Sequence, residues 1–173
     1  MSDAGMRDVG RSEAGASRGP GVAPPMLDAR WPADRGQATR VAVECDDPAT
    51  TAAAVAVLQA AGHEVAVCAG PDAHHRCPLL EQDRCPLVEG SDVVVNLLGF
   101  GGERRHRVLP HLRRRYPTTP IAAEASTAQR FTYRDLLTSV FTIDAPARPE
   151  SLTESVAVAA CCAEPSRMFD SAP

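Results

Sequence analysis

The run Ser91–Gly102, SDVVVNLLGFGG, places Asn96 directly after Val93, Val94 and Val95 and shortly before a glycine-bearing turn. A short β-branched run bounded by turn residues reads as a strand buried on both faces, as at the centre of a parallel sheet. In open α/β sheets, chemistry gathers at the carboxyl ends of such strands, so Asn96 and Gly99–Gly102 stand where a site belongs. An amide there can orient a ligand or hold the backbone of the turn, but it is no nucleophile. A second polar group, Glu44-Cys45-Asp46-Asp47, closes an earlier apolar run. Acids at that place suit a cation, although Asp47 before Pro48 is equally explained as a helix cap.

The third group is soft. Cys68, Cys77 and Cys85 are spaced C-x8-C-x7-C, with His74 and His75 among them. They offer ligands for Zn²⁺ or an iron–sulfur cluster, without the close C-x2-C pair that marks a zinc knuckle. The same thiols would serve a reversible Cys77–Cys85 disulfide, or pack as small apolar side chains. The fourth group is basic: Arg104, Arg105, Arg107, Arg113, Arg114 and Arg115 share one stretch with a single acid, Glu103. Such a face binds phosphates, binds an acidic partner or is merely solvated. The GFGG turn hints at a nucleotide loop, yet no G-x-G-x-x-G follows the first strand, where a pyrophosphate would need it.

These residues need a frame, and the pattern supplies one. Val41–Val43 reads as a strand. Asp47, Pro48 and Gly62 mark the cap, first position and end of a helix over ATTAAAVAVLQAAG, with Val55 and Leu58 toward the sheet. His63–Gly70 is a second strand, giving a right-handed βαβ unit. Pro78 and Pro86 predict a compact, irregular crossover over 71–90 in place of a long helix. A basic helix follows from Glu103, with Val108, Leu109 and Leu112 inward and Pro110 as a kink or a shifted start. Ile121–Ala125 is a strand, Thr127–Leu137 a helix packed through Phe131, Leu136 and Leu137, and Val140–Ile143 a fifth strand. The last helix carries Leu152, Val156 and Ala159 at core spacing, with Ser151 and Glu154 as a capping box; Cys161 and Cys162 on it are incidental. Five strands alternating with helices predict an α/β fold: a flavodoxin-like three-layer sandwich with a five-stranded parallel sheet.

The chain has 173 residues, enough for one domain plus tails. Residues 1–38, rich in Gly, Ala, Ser, Pro and Arg, are expected to be a disordered tail, with Met26 as an alternative start. Trp31 within it is either a solvated residue or a docking anchor. The domain is placed at 39–163, and 164–173 is expected to be a flexible C-terminal tail. Hydrophobic residues make up 44% but aromatics only 4%, so small side chains must fill the core. All 18 basic residues are arginine, which leaves no lysine amine for catalysis or phosphate contact. A net charge of −4 and the lack of interleaved aromatics argue against a nucleic-acid partner. No apolar run approaches the roughly 18 residues of a membrane span, and no apolar block marks a signal peptide. A cytoplasmic protein with reduced cysteines is expected.

The block from Arg40 to about Cys162 resembles the receiver domain of bacterial two-component response regulators. RVAVECDDP is similar to that family's first strand and acidic cluster, and SDVVVNLLGFGG to the strand and loop carrying its phosphoacceptor aspartate. HLRRRYPTTPI resembles its third helix and the Pro-bounded entry to strand four. TIDAPARPESL resembles its fifth strand, Lys-Pro dipeptide and final helix start. Receiver chemistry needs a carboxylate nucleophile, two further acids to hold Mg²⁺, a hydroxyl and a lysine. The resemblance puts the phosphoacceptor position on Asn96, within one residue. It puts the acidic pair near Cys45 and Asp46, leaving Asp46 and Asp47 as a residual acidic pocket. The hydroxyl position falls on Ala125, beside Ser126, and the lysine position on Ala145, before Pro146.

The expectation is therefore a stand-alone pseudo-receiver. It is no enzyme, needs no cofactor and binds a protein partner without being phosphorylated. Phe131 and Tyr133 are its expected contact residues, with the arginine helix as the alternative surface. The competing reading is a redox or metal (Zn or Fe–S) sensor built on Cys68, Cys77 and Cys85. A weaker one is small-ligand or nucleotide binding at the sheet's carboxyl edge.

Overall fold

The computed structural model describes Trp31, residues 34–71 and residues 76–170. Most of the expected N-terminal tail, Met26 included, lies outside those residues, as do His74 and His75. Five short strands follow from the five apolar runs: β1 (Arg40–Glu44), β2 (Glu64–Cys68), β3 (Val93–Asn96), β4 (Ile121–Ala125) and β5 (Phe141–Asp144). They form one parallel sheet in the order β2-β1-β3-β4-β5. That order reverses between β1 and β3, so their carboxyl ends bound the crevice where doubly wound folds place a ligand.

Side chains alternate across the sheet, and two cores result. Val41, Val43, Val93 and Val95 point to one face, covered by α1 (Pro48–Ala60) and α6 (Pro149–Asp170) through Ala54, Leu58, Leu152, Val156 and Ala159. Val57 is packed against this core, in place of the Val55 that the helical spacing predicts. Ala42, Val94 and Ala123 point to the other face. There α2 (Pro78–Gln82), α3 (Pro86–Glu89) and α4 (Glu103–Arg115) contribute Leu79, Leu87, Val88, Val108, Leu109 and Leu112. Pro78 and Pro86 each open a short helix at its first turn, which is why the crossover is two helical turns and not one long helix. Pro110 sits inside α4 without ending it.

Three boundaries differ from the sequence expectation. The fourth-strand helix is only α5 (Thr127–Thr132), followed by turns to Ser139. Ser126 opens it with a capping box: its hydroxyl accepts from Gln129 N–H and the Gln129 side chain accepts from Ser126 N–H. The box expected at Ser151 and Glu154 is not formed, because α6 already starts at Pro149 and Ser151 bonds back to Arg148. Finally, α6 continues to Asp170, so the tail boundary expected at 164 falls inside a helix. Among the described residues no helix is long and apolar enough to cross a membrane.

Trp31 is an anchor. Its indole N–H donates to Leu87 O at 2.7 Å and its ring lies on Gly90, where even a methyl group would have to displace it.

Candidate functional site

Register brings the expected residues to one end of the sheet. Glu44 pairs with Asn96 and with Cys68 across neighbouring strands, and Asn96 pairs with Ala123. Strand alternation aims Glu44, Asn96 and Cys68 at the face under the crossover, where Cys77 and Cys85 also pack. Asn96 Nδ2 donates to Glu44 Oε2 at 2.6 Å, with the two residues only 6% and 5% exposed. Burial pushes the Glu44 carboxyl up to about 7, and the Asn96 hydrogen bond pulls it back only in part. Asn96 and both its neighbours, Val95 and Leu97, lack a carboxylate.

The acids and the hydroxyl that remain at this edge have partners within the chain. Asp46 forms an ion pair with Arg105, from the first turn of α4. Asp47 caps α1, accepting from Thr50 N–H at 2.7 Å, and the Thr50 hydrogen bonds hold its carboxyl below the ordinary range. The Ser126 hydroxyl is taken up by its capping box. Asp144 at the end of β5 pairs with Arg130 at 2.6 Å. Ala125 and Ala145 do come together, since Ala145 N–H donates to Ala125 O at 3.4 Å, but neither carries a functional group. The peptide before Pro146 is cis.

The receiver resemblance implies Mg²⁺ here, and these residues do not fit it. The three acids at the exit of β1 are committed to an amide, a guanidinium and a helix N-terminus. Among the described residues no three of His, Cys, Asp and Glu are arranged to hold a metal ion.

The metal set expected at Cys68, Cys77 and Cys85 is likewise not assembled. All six cysteines are free, and these three pack at the border of the second core, near enough to one another and to Glu44 to raise each other's pKa. Burial above all pushes Cys68 up to about 12 and Cys85 up to about 11, and it raises Cys77. Thiols held protonated in this way pack and are poor nucleophiles. The physical reason is local: Cys77 and Cys85 are the residues that lead α2 and α3 down onto the sheet. Cys161 and Cys162 are exposed on α6.

Two expected surfaces are also placed. Phe131 does not pack inward but stands 88% exposed, whereas Tyr133 stacks on Phe100 with centroids 4.7 Å apart and has His106 at 5.2 Å. The arginine helix is not one free basic face. Arg113 donates to Leu136 O and Asp135 O, Arg114 pairs with Asp83, and Arg115 donates to Asp83 O.

Sequence reasoning placed Glu44 in the acidic group and Arg105 in the basic helix, but it missed their partners, Asn96 and Asp46. Parity offered a signal for Glu44, which must share a face with Ala42 and lie under the crossover. No local signal pairs Arg105 with Asp46, which lies in a loop far away in sequence.

Comparison with solved structures finds the same fold. The chain superposes on NtrX from Brucella abortus with a TM-score of 0.60 at 15% identity, covering 78% of this chain and 29% of that one. It matches the chemotaxis response regulator CheY4 of Vibrio cholerae with a TM-score of 0.55 at 17% identity, covering 71% and 99% of the two chains. A CheY-like response regulator receiver domain protein from Methanospirillum hungatei gives 0.57 at 15% identity, covering 75% and 99%. The fold is that of a receiver domain. No family model matches the sequence, and no curated protein matches it. At such low identity the receiver fold is shared while the site is this chain's own.

Proposed function

We propose that this chain is a receiver-like signalling module of the cytoplasm that binds a protein partner without being phosphorylated. It is not an enzyme in this reading, and nucleic acid is not its partner. The observation that carries the proposal is the Asn96–Glu44 hydrogen bond at the carboxyl end of β3. An amide stands at the phosphoacceptor position implied by the receiver resemblance, and an amide cannot form an acyl phosphate. Ala145 supports the same conclusion, because a methyl group cannot contact a phosphoryl oxygen as a lysine would.

A phosphoryl group can shift a conformational equilibrium only through differential free energy between two states. Without that input the domain keeps one dominant conformation and binds constitutively. Phe131 is the large apolar side chain presented to solvent on α5, and aromatic anchors carry a disproportionate share of binding energy. Tyr133 supports the surface from beneath through its stack on Phe100.

The test is affinity capture from cell extract, with and without acetyl phosphate. Wild type is compared with Phe131→Ala, Tyr133→Ala and a variant with Arg113, Arg114 and Arg115 changed to Glu. The proposal expects the same protein in both wild-type captures and its loss from Phe131→Ala. Loss only from the arginine variant, capture only after acetyl phosphate, or recovery of nucleic acid would contradict it.

A further inference from the structure

We propose that Arg105 is a built-in counter-cation, which closes the carboxyl edge of the sheet in place of a divalent metal. The inference rests on the receiver-like reading for the location of the edge, and on this chain's own contacts for what fills it.

Three acids leave β1 together: Glu44 in the strand, and Asp46 and Asp47 in the loop that follows. Glu44 is turned into the protein and accepts the Asn96 amide. Asp47 is spent on the first turn of α1. Only Asp46 faces across the edge, and it meets a guanidinium. That guanidinium comes from the first turn of α4, which follows β3 after the Gly99–Gly102 turn. Gly102, the residue before α4, has a φ of 82°, a conformation that glycine adopts freely and that sets where the helix begins. Arg105 lies three residues on, so the turn determines which side chain reaches Asp46.

Both partners are about one-third exposed, 34% for Arg105 and 33% for Asp46, so the pair sits at the mouth of the edge and not in the core. A planar guanidinium can occupy both oxygens of a carboxylate, which are the atoms a hard cation would use. It also repels any second cation brought to the same place. The consequence is twofold. The edge is neutralised without a metal, and α4 is tied to the loop between β1 and α1, so the turn carrying Phe100 is held in one position.

The test is titration of the full chain with Mn²⁺ near neutral pH, following the free ion by electron paramagnetic resonance, with Mg²⁺ calorimetry in parallel. Arg105→Ala should bind Mn²⁺ at least about tenfold more tightly than wild type, because the competing cation is gone and the acid is exposed. Arg105→Gln, which keeps the side chain's length without its charge, should show the same gain. Arg105→Lys should stay close to wild type. Adding Asp46→Asn to Arg105→Ala should abolish the gain. The proposal is overturned if neither neutral variant binds more tightly than wild type, or if the gain survives Asp46→Asn. No phosphoryl donor is present, so failure here leaves the non-phosphorylated reading standing, and a phosphoryl adduct found separately bears on the nucleophile and not on Arg105.

Discussion

At the amino edge of the sheet, Asp92 lies between the Arg35 guanidinium and the main-chain N–H of Arg40, whose bond to Asp92 Oδ2 is 2.9 Å. At the carboxyl edge, Glu44 has the Asn96 amide as its partner and the thiols of Cys68, Cys77 and Cys85 as neighbours. Both acids are buried, Asp92 at 7% exposure and Glu44 at 5%. The amino edge pairs its acid with a guanidinium and adds the Trp31 indole, with the Arg40 guanidinium 5.5 Å from the ring centre. The carboxyl edge supplies a neutral donor, and burial then drives the carboxyl toward its protonated form. The lesson is that one sheet can bury an acid at each end by different means, a guanidinium at the amino edge and a neutral amide at the carboxyl edge. What remains there is a structural pair whose charge depends on pH.

The largest effect should come from making the carboxyl edge more like a reactive one. Asn96→Asp removes the donor and sets a second carboxyl against Glu44. A loss of roughly 3–5 kcal/mol at about pH 8 is expected, the cost of an uncompensated buried charge. Urea unfolding measures it, and a loss below about 1 kcal/mol would break the contrast between the edges.

The second effect is pH dependence. Glu44 holds a proton in the folded state up to about 7, whereas the unfolded chain releases it near 4.5. Its contribution to stability is therefore complete below 4.5 and is lost as pH rises through about 7. The difference across that window is on the order of 3 kcal/mol. Glu44→Gln should remove this slope and raise the melting temperature at alkaline pH. Wild type and variant with parallel stability curves would show that Glu44 is already ionised in the folded chain.

At that amino edge the anchor is Trp31, the only tryptophan in the chain. Trp31→Ala should cost about 1–2 kcal/mol, less than a fully buried aromatic because the ring is only partly covered. Gly90→Ala should push the indole off its seat, since the new methyl carbon would stand 2.0 Å from Trp31 Cδ1. A red shift of the single tryptophan's emission reports this. Unshifted emission in Gly90→Ala would place the indole elsewhere. The smallest effect is expected at the exposed Arg114–Asp83 pair, where Arg114→Ala should change stability by less than about 0.5 kcal/mol.

The frame was legible in the sequence because its signals are local. β-branched runs, Asp47-Pro48 at a helix start and two prolines in the crossover each act within a few residues. Helix ends were harder to place. Ser139, with a φ of 62°, ends the turns after α5 in a left-handed conformation with no glycine to announce it. Gln129 closes a capping box that looks like any polar side chain until Ser126 is known to precede a helix. At the site, Asn96, Asp46, Ala125 and Ala145 could be placed by motif, whereas their partners could not. Arg105 reads as one arginine among six in a basic helix, and only tertiary structure selects it for Asp46. The cysteines left ligation, a disulfide and packing open, and the structure packs them. Their spacing suggests ligands, but burial and the two proline-led helices turn them into packing groups.

The most direct test of the central claim is intact mass spectrometry of the full chain after incubation with acetyl phosphate and Mg²⁺. An unchanged mass is predicted, because the carboxyl end of β3 presents an amide bonded to Glu44 and β5 leads to an alanine. A base-labile adduct of one phosphoryl group, mapped to Asp46 or another acid at this edge, would contradict it.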